Sequence, residues 1–295
     1  MDPTKLAART VSAVVLSLCV AIIGTAAAPH SPPPRPIAVQ PDPAAAVPEP
    51  TFPDTNPVPD GGRAPRPADP GEQFTIWDLP PGTLVLNPVS GRREILDPAV
   101  ARSAVLFGDS QSSGAAGVAG ADTWVQSALA DRGYNVDFKG AAGTGFVAGT
   151  DFASNYPDAV ESGRVVLPYG KPALVVVQGG GNDAAHGATD AQILDNAERL
   201  LRDLKASYPA SGFLFIGTLT WGARSADRRV QVNELLAGFA RRNGVAFISP
   251  EGWIARYGVG DSMADNVHLA AGGHQVLSRV LAGTLAGLGL AAPGG

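Results

Sequence analysis

The sequence predicts an α/β fold, a three-layer α/β/α domain on a central, mostly parallel five-stranded sheet. Three observations predict it. Beyond residue 103, five short β-rich runs alternate with stretches of helical periodicity, the pattern of parallel strands joined by crossover helices. The runs are continuously apolar rather than alternating, as suits strands covered on both faces. Capping residues and glycines punctuate the helical stretches where starts and stops are needed.

Taken in order, the chain opens with Lys5 and Arg9 ahead of an uncharged apolar run from Val11 to about Gly24, and then Ala26-Ala27-Ala28. Residues 1–28 therefore read as a secretory signal peptide with a small-residue cleavage site, with an uncleaved membrane anchor as the rival. A lipoprotein reading through Cys19 would want a small residue before the cysteine, and Leu18 stands there. Residues 29–70 are dominated by Pro, Ala and short polar residues that have little to bury, so an extended, disordered tether is expected. In residues 71–102 apolar residues return around Asn87-Pro88-Val89-Ser90-Gly91, a turn signal that suggests a small hairpin.

The main domain spans 103–290. Its strand candidates are residues 104–107, 135–138, 174–177, 213–216 and 245–248, and its helices fall at 123–131, 189–207, 226–243 and 270–288. The second helix shows its logic best. Thr189 and Gln192 have capping-box spacing, while Ile193, Ala197, Leu200, Leu201 and Leu204 share one face. Gly133 and Gly244 sit where helices should stop.

Composition excludes several classes of function. A net charge of -5 without a basic stripe argues against a nucleic-acid partner. Cys19 is the only cysteine, which rules out an intramolecular disulfide and leaves the folded region no thiol nucleophile or Cys-based zinc site. Only His30, His186, His268 and His274 compete for the role of general base.

Open parallel sheets bind ligands outside the carboxyl ends of their strands, so the polar segments just after each run are the places to search. They are Gly108-Asp109-Ser110-Gln111-Ser112, Gly140-Ala141-Ala142-Gly143-Thr144-Gly145, Gly179-Gly180-Gly181-Asn182-Asp183 and, ahead of the last helix, Asp265-Asn266-Val267-His268. Acyl transfer needs a hydroxyl nucleophile, an imidazole base, a carboxylate to orient the base, and donors for an oxyanion. Ser110 on a strand-to-helix turn fits the nucleophile, and its own N–H lies near a helix start. Gly143 would let a backbone N–H approach, and Asn182 offers an amide. Asp265, three residues before His268, can hold one ring nitrogen while the other faces the serine.

Bland readings apply to the remaining residues. Asp109 is expected to bond loop N–H groups, His186 to be a solvated or pocket-edge residue, and His274 to lie at the surface or core edge. Asp261 could replace Asp265, but the three-residue spacing favours the latter. Trp124, Trp221 and Trp253 read as core, with Trp221 nearest the rim of the site. Arg224, Arg228, Arg229, Arg241 and Arg242 read as a solvated helix face.

Gly108-Asp109-Ser110, the glycine-rich block with Gly143, Gly180-Gly181-Asn182-Asp183 and Asp265 to His268, occurring in this order, resemble the conserved blocks of the SGNH or GDSL-like hydrolase superfamily. The resemblance covers residues 103–288. It implies a flavodoxin-like fold, ester or related acyl substrates, a Ser110, Gly143 and Asn182 oxyanion hole, no cofactor and no metal. In one respect the sequence departs from the pattern, because Lys139 and Gly140 stand where the second block often has an asparagine. The expected function is an exported serine esterase, monomeric, acting on acetylated glycans or envelope lipids and held near the cell envelope by its N-terminus. An O-acyltransferase with the same triad, or a non-catalytic envelope-binding module, is the alternative. An acylated acceptor would identify the former, and failure of a fluorophosphonate to label Ser110 the latter. A cofactor binder would need a richer Ser/Thr/Gly run than Gln111-Ser112-Ser113-Gly114.

Overall fold

The computed structural model describes residues 75–222 and 227–294. The signal or anchor segment, the tether, the start of the extension, Cys19, His30 and Arg224 lie outside the described residues.

In chain order the elements are β1 (Leu84–Leu86), β2 (Arg93–Leu96), β3 (Ser103–Phe107), α1 (Ser110–Ser113), α2 (Trp124–Asp131), β4 (Asn135–Phe138), α3 (Tyr156–Glu161) and β5 (Pro168–Tyr169). They continue with β6 (Leu174–Gln178), α4 (Gly181–Ala185), α5 (Asp190–Ser207), β7 (Gly212–Ile216), α6 (Arg228–Arg242), β8 (Ala246–Ile248), α7 (Trp253–Arg256) and α8 (Ala271–Gly287). The main sheet has the order β4-β3-β6-β7-β8, and every neighbouring pair is parallel. Strand order runs outward from β3 to β4 on one side and from β6 to β7 and β8 on the other, so the loops after β3 and β6 flank the point where the order reverses, the place where open parallel sheets form a crevice.

Alternation along the buried strands divides the core in two. Val105, Phe107, Val175, Val177 and Phe215 face Leu200, Leu201 and Leu204 of α5 and Leu236 of α6. Ala104, Leu106, Val176, Leu214 and Ile216 face Trp124 and Leu129 of α2 and Leu277, Leu281 and Leu285 of α8. These are the three layers that the continuously apolar runs predict. Local chemistry sets the helix starts: Thr123 accepts from the Gln126 N–H ahead of α2, Asp227 accepts from the Arg229 N–H ahead of α6, and Thr189 with Gln192 completes the capping box of α5.

Residues 84–96 form a hairpin. Gly91 closes its turn by donating to the Asn87 carbonyl, and the Asn87 side chain accepts from the Val89 and Ser90 N–H groups. The hairpin gains a third strand, β5, which pairs parallel with β2. Nothing in the sequence pattern marks β5 or α3, because a two-residue strand and a helix of one and a half turns are too short for a period to show. Asn87 and Glu94 are buried and bonded to one another at 2.9 Å, with Asn87 also reaching the Ser207 carbonyl at the end of α5. Burial pushes the Glu94 carboxyl above its ordinary range.

His274 is a correction. It is not at the surface but only 2 % exposed, on α8, where Nδ1 accepts the Trp124 N–H at 3.0 Å. It thereby caps a donor that the start of α2 leaves unpaired. Burial holds the imidazole neutral, down to about 4. Trp124 and Trp253 pack edge to face in the core with centroids 5.8 Å apart, whereas Trp221 is 51 % exposed.

Candidate active site

The first loop is built on close packing. A Cβ on Gly108 would lie 2.6 Å from the Ser112 Cβ, so only glycine lets the chain turn this tightly from β3 into α1. Asp109 then caps α1 by accepting the Gln111 N–H at 2.9 Å, the structural role expected of it. Four residues make a weak helix, and its neighbours hold it in place. The Ser112 hydroxyl donates to Gln178 at 2.6 Å, and Thr123 and Gln126 donate to the Ser112 carbonyl. Ser110 is therefore presented by a short, fully braced turn at the carboxyl end of β3.

His268 reaches it from the loop before α8. Its Nε2 lies 2.9 Å from the Ser110 Oγ, and its Nδ1 lies 2.8 Å from the Asp265 Oδ2. The second Asp265 oxygen accepts the Val267 and His268 N–H groups at 2.7 and 2.6 Å, which fixes the three-residue turn between Asp265 and His268. Met263 bridges Leu269, and Ala264 donates to the His268 carbonyl, so the loop closes on itself. The Gln111 amide donates to the Val267 carbonyl at 2.8 Å and ties this loop directly to α1. With the carboxylate at Nδ1, the proton belongs on that nitrogen, and the Nε2 lone pair faces the serine hydroxyl.

Hydrogen bonds from His268 and from the loop N–H groups hold the Asp265 carboxyl down at about 2. A depressed carboxylate keeps its interactions at every pH above its ordinary range and loses them only as pH falls through the depressed value. Asp265 thus stays ionised throughout the neutral and mildly acidic range. Replacing it with asparagine is expected to lower kcat about 10²- to 10⁴-fold. Steady-state kinetics on a chromogenic ester measures this directly.

The third segment supplies Asn182, on the first turn of α4 after Gly180, whose φ is +107°. Its side-chain amide donates to the Thr144 carbonyl at 2.9 Å, and it lines the same cleft as Ser110. Gly143 precedes Thr144 directly, with φ +79°. The other two glycines of that block have packing roles. A Cβ on Gly140 would come within 1.8 Å of the Gly108 carbonyl oxygen, and one on Gly145 within 2.4 Å of the Asp183 carboxylate. The structure thus brings together Ser110, His268, Asp265 and Asn182, and sets Gly143 one residue from the bond that holds Asn182.

Asp183, the buried neighbour of Asn182, accepts the N–H groups of Phe146, Val147 and Ala148 at 2.9, 2.7 and 2.8 Å. It moors the end of the second block to α4. His186 stays exposed and bonds the Asn182 carbonyl through Nδ1, and Asp261 lies on a separate turn, Gly260–Ser262. One expectation fails: Arg229 does not belong to a solvated face, for it lines the cleft with Ser110 and Asn182. It sits in the first turn of α6.

Asp109, next to Ser110, is buried, and desolvation raises its carboxyl to about 6 against backbone and Gln178 hydrogen bonds that lower it. A raised acid costs stability as pH climbs from its ordinary value to the shifted one, and the whole cost is present above about 6. Asparagine keeps the capping oxygen and removes the charge. Asp109→Asn is therefore expected to raise stability at pH 8 by up to about 3 kcal/mol, with the gain vanishing near pH 4. Urea unfolding at both pH values checks it.

The model of the GDSL-like lipase/acylhydrolase family matches residues 106–276, a span that holds the Ser110 loop, both intermediate blocks and the Asp265–His268 turn. Among solved structures, the chain resembles a carbohydrate esterase family 2 enzyme with a carbohydrate-binding domain from Corynascus thermopiles (Myceliophthora fergusii), at 18 % identity and a TM-score of 0.53 over 68 % of this chain and 70 % of that one. It also resembles an active-site mutant of a family two carbohydrate esterase from Clostridium thermocellum, at 15 % identity and a TM-score of 0.52 over 66 % of each chain. A family two carbohydrate esterase from Cellvibrio japonicus matches at 16 % identity and a TM-score of 0.50, over 67 % of this chain and 64 % of that one. The chain thus spans about two thirds of the length of each, and at these identities the likeness is one of fold. No curated protein matches the sequence. The chain belongs to the GDSL-like lipase/acylhydrolase family, within the SGNH hydrolase superfamily.

Proposed function

We propose that the protein is an exported serine esterase that hydrolyses O-acyl esters of envelope or extracellular glycans through a Ser110 acyl-enzyme. The observation that carries this reading is the continuous relay from Asp265 to His268 to Ser110, with both contacts at hydrogen-bonding distance. Ser110 Oγ attacks the ester carbonyl carbon as His268 Nε2 takes its proton, and Asp265 stabilises the imidazolium that forms. The oxyanion is held by the Ser110 and Gly143 N–H groups and the Asn182 amide. Collapse of this intermediate breaks the bond to the alcohol oxygen, which leaves with the proton from His268. Water then attacks the acyl-enzyme, giving its proton to His268, and the carboxylic acid departs as Ser110 is restored.

Carbohydrate esterases among the structural neighbours support a glycan ester, as does the exposed Trp221, two residues beyond the cleft residue Leu219. The apolar run of residues 1–28 supports export, and the Pro-rich 29–70 segment supports a tether between envelope and enzyme. No helix among the described residues is long and apolar enough to cross a membrane. The test is turnover of p-nitrophenyl acetate, butyrate and octanoate, with and without an added sugar acceptor. Free acid in every case, fastest for acetate, is the expected result. An acylated sugar would convert the reading to an acyltransferase, and preference for octanoate would replace the glycan with a lipid.

A further inference from the structure

Arg229 and its neighbour Arg228 face different fates. The Arg228 guanidinium pairs with Asp190 at 2.6 Å and donates to the Ala188 carbonyl at 2.7 Å. Among the described residues Arg229 makes no ion pair, and its hydrogen bond to Asp227 is made by its backbone N–H and not by its guanidinium. It is half-buried, and it lines the cleft of Ser110 and Asn182. Its charge reaches Asp109, which lies buried behind Ser110 and forms no ion pair with it.

A partly desolvated guanidinium with no carboxylate against it has lost hydration without full compensation. Beside a nucleophile, the missing partner is most simply part of the ligand. We propose that Arg229 is a specificity-determining residue, and that the ester hydrolysed at Ser110 carries an anionic group, a carboxylate or phosphate, near its scissile bond. The planar fork of a guanidinium matches either group through paired N–H donors. The charges of the cleft walls suit such a ligand, since Thr218 and Asn182 are uncharged polar residues and the acid among the lining residues, Asp109, is shielded by burial. This inference rests on the esterase reading of Ser110. It deepens that reading by replacing a generic acylated glycan with an acidic one, or with an ester whose acyl group ends in a carboxylate.

Two matched pairs of esters separate these sources. An acetylated methyl glucuronide against the acetylated methyl glucoside places the charge on the alcohol side. The p-nitrophenyl monoester of succinic acid against p-nitrophenyl butyrate places it on the acyl side. In the wild type, kcat/KM is expected to favour the anionic member of at least one pair about tenfold or more, with the gain mostly in KM. Arg229→Met should collapse that ratio towards one, and Arg229→Lys should keep part of it.

Equal rates within both pairs, or a preference that survives Arg229→Met, would overturn the proposal. So would an Arg229→Met variant that slows neutral and anionic esters alike and shifts the pH profile, since that marks a countercharge for Asp109. Should no ester turn over, the esterase reading falls on its own. Calorimetric binding of glucuronate against glucose to the Ser110→Ala protein, with and without Arg229→Met, then reads the cation directly. Tighter glucuronate binding that depends on Arg229 supports the anion site, and its absence overturns it.

Discussion

Ser110→Ala is expected to lower kcat on p-nitrophenyl acetate by about 10⁴- to 10⁶-fold while leaving the fold intact. The size follows from the relay. In the proposed mechanism, removing the hydroxyl removes the atom that would form the acyl-enzyme, and His268 is left with nothing to deprotonate but water. What survives is the contribution of oxyanion donors and binding, because these do not depend on the side chain. His268→Ala should fall to a similar level, and the double variant should be no worse than either alone, since residues that act as one unit are not additive. The stability cost is small, because alanine fills most of the serine volume and the bonds bracing α1 come from Asp109, Ser112, Thr123 and Gln126. Stopped kinetics with an unchanged unfolding midpoint is the signature.

Asp183→Ala should be the most damaging single change to stability, about 3–5 kcal/mol in urea unfolding. Three backbone donors converge on this buried carboxylate, and nothing else is in place to accept them. An unpaired buried donor forfeits its full desolvation cost, which is why the loss exceeds the net worth of three ordinary hydrogen bonds. A domain of this size has about 5–15 kcal/mol to lose. Asp183→Asn should cost less, because one oxygen can still serve Val147 and Ala148 while the amide opposes the Phe146 N–H. Activity should fall with stability in both variants, since the moored segment follows directly on Gly143, Thr144 and Gly145.

Much of the fold was legible because its signals are local. The continuously apolar runs of β3, β6 and β7 required cover on both faces, and Thr189 with Gln192 placed the start of α5 to the residue. The proximity of the candidate site's segments was legible for a related reason: a parallel sheet gathers the ends of its strands, so Ser110, Asn182 and the Gly143 block could be placed near one another from order alone. Contacts between distant residues left no such trace. The Gln111 bond to Val267 spans 156 positions, and the His274 bond to Trp124 spans 150. His274 reads as a polar interruption of an apolar helix until the partner N–H is seen. Arg229 was misplaced for a subtler reason. Arg228 and Arg229 are adjacent in the first turn of α6, and helical spacing cannot tell which of the two turns to the cleft. Asp183 sat in a recognised motif, yet its three acceptor bonds depend on a loop conformation that no periodicity encodes.

The measurement that tests the account most directly is covalent labelling by a fluorophosphonate, followed by intact-mass and peptide mapping. The account predicts a single adduct on Ser110, formed rapidly at neutral pH, slowed severely by His268→Ala and absent from Ser110→Ala. No adduct on the folded wild-type protein, or an adduct on another residue, would contradict the claim that Asp265 and His268 activate this serine.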